Sequence, residues 1–74
     1  MSPWTHVLSA AELDAQFALT ASLDPSFARQ QREWYETRTI AQLKGAAAGA
    51  WNANDSDGYQ LARSFIALKE GVPA

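Results

Sequence analysis

Apolar residues recur at helical spacing along most of this 74-residue chain, and turn-forming residues punctuate the intervals. Leu13, Phe17 and Ala21 repeat at i, i+4 and i+8, beside a smaller stripe of Leu8, Ala11, Ala15, Ala18 and Leu19. Two apolar sides predict a helix sandwiched between neighbours. Its start is marked by Ser9-Ala10-Ala11-Glu12, the form of a capping box in which the serine accepts from a first-turn amide and the glutamate reaches back. Asp24-Pro25 predicts a second start, because aspartate is a preferred N-cap and proline at the first helical position gives up an amide that has no helical partner.

Beyond Pro25 the pattern admits two readings. Phe27 and Trp34, seven residues apart, share one face, whereas Ile40, Leu43, Ala47, Ala50 and Trp51 form a stripe nearly opposite to it at 100° per residue. Either one helix of about 28 residues meets different neighbours at its two ends, or the chain breaks at Thr37-Arg38-Thr39, where Thr39-Ile40-Ala41-Gln42 repeats the capping-box form. The single long helix is the preferred reading. Within it, Gly45-Ala46-Ala47-Ala48-Gly49-Ala50 predicts close approach of a neighbour to a backbone with little side-chain bulk.

Asn52 to Gly58 reads as a loop in which Asp55 or Ser56 caps the last helix, from about Asp57 to Glu70. That helix carries Leu61, Phe65, Leu68 and Val72 on one stripe, widened by Ala62 and Ile66, and ends at Gly71 and Pro73. No segment shows a convincing strand pattern, so the expected class is all-α: a compact three-helix domain, four helices if the break is real. Residues 1–8 form an N-terminal arm, 9–70 a single helical domain and 71–74 a tail. The expected core is Phe17, Trp34, Leu43, Trp51, Leu61, Phe65 and Leu68.

Composition narrows the means of stabilising so short a chain. Burial and chain entropy nearly cancel at this length, and small domains then depend on disulfides, a metal, tight packing or a partner. The chain has no cysteine and one histidine, His6, which removes disulfides, thiolate metal sites and any multi-histidine site within one chain. No cofactor is expected. Eight aromatics (three Trp, two Tyr, three Phe) favour a folded domain over disorder.

Six Lys and Arg against eight Asp and Glu give a net charge of −2. That argues against a general coating of nucleic acid or of an anionic membrane. The charge is nonetheless uneven: residues 1–24 hold three acids and no base, and residues 25–44 hold four bases and two acids. No apolar run approaches membrane-spanning length, and the N-terminus lacks the basic and apolar regions of an export signal, so a cytoplasmic protein is expected.

Three chemical readings meet obstacles in the residues themselves. Aligning the acidic loop with a calcium-binding helical hairpin, Gly58 in sixth place, puts Ala53 first and Ser64 twelfth, where a carboxylate and a bidentate glutamate are required. Serine-based hydrolysis needs a base, and His6 has no evident counterpart nearby. Glu33 and Glu36 are interleaved with Arg29 and Arg32 and read as a solvated helix face. An enzyme with a small-molecule substrate is therefore not expected.

The richest constellation is Arg29, Gln30, Gln31, Arg32, Trp34, Tyr35 and Arg38, since arginine, tyrosine and tryptophan dominate binding hot spots. Arg29, Arg32, Trp34, Tyr35 and Arg38 are the candidate partner-binding residues. The expected function is a small helical protein-interaction module that acts as adaptor, regulator or inhibitor by occupying a larger protein, or that pairs as a homodimer. The alternative is a DNA-binding regulator using the basic segment 29–44, with the arginines on phosphates and Gln30 or Gln31 on an adenine edge.

Overall fold

In a computed structural model, residues 6–71 are described and form four helices: α1 (Ala10–Leu23), α2 (Pro25–Thr37), α3 (Ile40–Asn52) and α4 (Ser56–Glu70). The all-α class holds, with four helices, and no strand occurs among the described residues. Residues 1–5 of the arm, Val72 and Pro73 lie outside the described residues.

Local chemistry sets each helix start. Ser9 Oγ accepts from Glu12 N at 3.2 Å while Glu12 Oε1 accepts from Ser9 N at 3.0 Å. Thr39 and Gln42 make the same reciprocal pair at 3.1 and 2.9 Å. Asp24 and Asp55 cap α2 and α4 through the amides of Phe27 and Gly58. The preferred single helix over residues 25–53 is thereby corrected: it breaks at Arg38, whose backbone is extended, because the Thr39 box restarts a helix there. The break also lets the two segments turn independently, so that Leu43 and Ile40 of α3 face the core while Phe27 and Trp34 of α2 stay exposed. The left-handed Gly71, at φ 75°, ends α4.

The helices pack as two pairs, α1 on α2 and α3 on α4, joined where α2 touches α4. The core draws on Leu8, Leu13 and Phe17 from the N-terminal part, Leu43 from α3, and Leu61, Phe65 and Ile66 from α4, with Tyr35 and Ile40 packed against it. Phe65 is its hub. It stacks on Tyr35 at 5.2 Å between ring centroids and tilts against Phe17 at 6.1 Å. At the far end of α2, Lys69 Nζ donates to the carbonyl of Glu36 at 2.7 Å, so α4 covers an otherwise unpaired helix terminus.

Five expectations about packing are corrected. Trp34, Trp51 and Leu68 are not core: they remain 41%, 50% and 40% exposed. For Trp34 the reason is angular, since α2 turns Ala28 and Tyr35 inward and leaves the adjacent Phe27/Trp34 stripe outside. Trp51 lies near the C-terminus of α3, tilted against Tyr59 at 5.1 Å, and Leu68 borders a shallow hollow in the last turn of α4. The second stripe of α1 is not sandwiched, because Ala11, Ala15, Ala18 and Leu19 are exposed. Nor do the glycines of α3 admit a neighbour: a Cβ at Gly45 or Gly49 would meet nothing within 4 Å, and the close contact falls on the buried Ala47 instead.

The segment entering α1 is tied to α4 by polar bonds from Ser64 and Gln60. Ser64, fully buried in α4, accepts from the Leu8 amide at 2.9 Å and donates to the Gln60 carbonyl at 2.7 Å. Gln60 adds a bond to the carbonyl of His6 at 3.1 Å.

Candidate functional site

The structure sorts the five candidate residues of α2 and its C-terminal edge into two groups. Arg32 and Tyr35 serve the fold. The Arg32 guanidinium donates to Asp14 at 2.6 Å, lies 3.7 Å from Glu36 and covers the face of Phe17 at 5.3 Å from its centroid. Its bond to Asp14 holds its pKa above the usual value for arginine. Tyr35 is half-buried, and loss of solvent around the phenol raises its pKa.

Trp34, Arg38 and Arg29 stand at the surface. Trp34 meets Tyr35, which packs against the core, edge-on at 5.0 Å and stays partly exposed. Arg38 lays its guanidinium 4.7 Å from the centroid of that ring. Arg29 lies apart from them, in a hollow of about 400 Å³ between α1 and α2 that also involves Asp14, Phe17 and Arg32.

Spacing puts Phe27 on the Trp34 face, although it is not among the five candidate residues. It is 52% exposed, and together with Gln30, Gln31, Trp34 and Tyr35 it lines an open groove of about 420 Å³. Phe27, Gln30, Gln31 and Trp34 follow i, i+3, i+4, i+7 spacing, a signal of one helix face that is legible in the sequence. The lining is aromatic and carboxamide, with Tyr35 its one titratable side chain. A smaller hollow of about 280 Å³, bordered by Gln30, Glu33, Trp34, Thr37 and Arg38, continues the surface toward the C-terminal end of α2.

Other candidate chemistry resolves into capping. Asp55 accepts from the Gly58 amide of α4, and His6 lies 3.3 Å from Glu12 at the surface beside the α1 cap. Among the described residues no three His, Asp or Glu side chains converge as a metal site, and no helix is long and apolar enough to cross a membrane. Compared with known proteins, the chain matches no family, no curated protein by sequence and no solved structure by fold.

Proposed function

We propose that this chain is a small helical protein-interaction module, acting as an adaptor, regulator or inhibitor, and that the outer face of α2 is its binding surface. The observation that carries the reading is the pair Phe27 and Trp34, two large aromatics on one helix face with an open apolar groove between them. A chain of this size has every reason to bury its aromatics, and Phe17 and Phe65 are buried. An exposed aromatic pair next to an arginine is the composition of a binding hot spot. The cytoplasm suits a chain without cysteine.

The DNA-binding alternative draws on the same helix but is weakened by Arg32, whose charge is paired with Asp14 and Glu36. A library of helical peptides, selected for binding to the wild-type chain, tests the proposal. Selected ligands should lose at least tenfold in affinity against Phe27→Ala/Trp34→Ala and keep their affinity against Trp51→Ala. Ligands indifferent to the α2 changes would overturn the reading. So would salt-dependent binding to DNA that disappears in Arg29→Ala/Arg38→Ala.

A further inference from the structure

We propose that the outer face of α2 pairs with the same face of a second copy of this chain, the two helices running antiparallel about a twofold axis between Gln30 and Gln31. The proposal rests on the reading of that face as a protein-binding surface and names its occupant.

A twofold interface requires a face that complements itself. Phe27 and Trp34 lie on one stripe about 10.5 Å apart along the helix, at 1.5 Å per residue. An axis at their midpoint brings Phe27 of each copy onto Trp34 of the other, so both exposed aromatics are covered at once. Gln30 and Gln31 flank the stripe, about 50° to either side of it. The axis keeps each flank on its own side, so Gln30 meets Gln30 of the second copy and Gln31 meets its own counterpart. A carboxamide both donates and accepts, and such self-pairing leaves neither group unsatisfied.

Charge selects the antiparallel direction. Asp24 stands at the N-terminal end of the stripe and Arg38 at the C-terminal end, its guanidinium over Trp34. Antiparallel pairing carries Arg38 of each copy toward Asp24 of the other, within about one residue of register. Parallel pairing would set arginine beside arginine and aspartate beside aspartate. Arg29 and Arg32 lie on the side of α2 that meets α1, away from the contact. The aromatic surface covered is roughly 400 Å² over both copies, from the two exposures and the usual size of these side chains. That is small for a stable dimer, so dissociation in the micromolar range or weaker is expected.

Sedimentation equilibrium from micromolar to millimolar concentration tests the pairing with the wild-type chain and with Gln30→Glu and Gln30→Lys, exposed positions where circular dichroism checks that the fold is kept. The wild type should self-associate, each charged variant alone should dimerise at least tenfold more weakly, and an equimolar mixture of the two should regain association as a heterodimer. A wild type that stays monomeric at millimolar concentration overturns the pairing, as does association that ignores charge at Gln30. Neither result bears on whether selected peptides occupy the α2 face, so failure of this pairing and failure of the broader reading are distinguishable.

Discussion

Replacing Ser64 with alanine isolates the contact that ties the N-terminal segment to the helical core. In the native fold Ser64 is fully buried and its hydroxyl accepts from the Leu8 amide at 2.9 Å. Without the hydroxyl, that amide remains buried with no acceptor, at a cost of about 1–3 kcal/mol. Two smaller effects oppose the loss. Alanine is a better helix former than serine by about 0.5 kcal/mol, and removal of the bond from Ser64 to the Gln60 carbonyl releases a slight distortion of the helix. The Gln60 carbonyl keeps its place in the helical ladder, so it is not orphaned. The net expectation is a destabilisation of about 0.5–2.5 kcal/mol. For a domain of this size that lowers the melting temperature by roughly 2–20 °C. Urea unfolding followed by circular dichroism measures the free energy, and hydrogen exchange at the Leu8 amide locates it. Ser22→Ala serves as the control, since Ser22 is exposed and bonds only to the Leu19 carbonyl in its own helix; it should change stability by less than about 0.5 kcal/mol. Ser64→Ala with unchanged or increased stability, or with undiminished protection at Leu8, would refute the reasoning.

Three further substitutions, two at helix ends and one inside α3, have defined outcomes. Gly71→Ala should cost about 1 kcal/mol, because Gly71 holds a left-handed φ of 75°, whereas Gly45→Ala should gain about 0.5–1 kcal/mol, its Cβ entering open space on α3; denaturant midpoints moving in the same direction for both would contradict this. The Ser9 amide, aided by the Ser9 hydroxyl and His6, holds the Glu12 carboxyl below its usual value of 4.5. A depressed carboxylate adds stability that is present above the unfolded value and lost as pH falls through the folded one. Glu12→Gln, which can still cap as Gln42 does in α3, should therefore remove part of the acid dependence. Unfolding free energies of the two proteins that fall in parallel below pH ~5 would count against it.

Helix boundaries were largely legible because they depend on residues within four positions of one another. The Ser9 and Thr39 boxes, the Asp24-Pro25 start, the Asp55 cap and the Gly71 stop are local hydrogen-bonding and backbone arrangements, and each stands where its residues put it. The break at Arg38 was visible as one of two readings. Deciding between them required knowing that the opposed faces of residues 27–51 meet different surroundings, which is a tertiary fact. The candidate surface was half legible: Trp34 and Phe27 could be placed on one face by spacing, but the same spacing suits a core stripe, and Trp34 was assigned to the core for that reason.

What the amino-acid order determined by itself is therefore an all-α chain with its caps, its turns and the amphipathic faces that follow from a repeat of 3.6 residues. Which apolar face is covered was decided only by packing. One helix can offer just one arc to a neighbour, and when Tyr35 stacked on Phe65 the adjacent Phe27 and Trp34 were turned to solvent. Packing also decided that Arg32 would be tied to Asp14, eighteen residues away, and that Ser64 would anchor Leu8 across fifty-six. Contacts between residues so far apart depend on how helices are set against each other, and no local pattern records that.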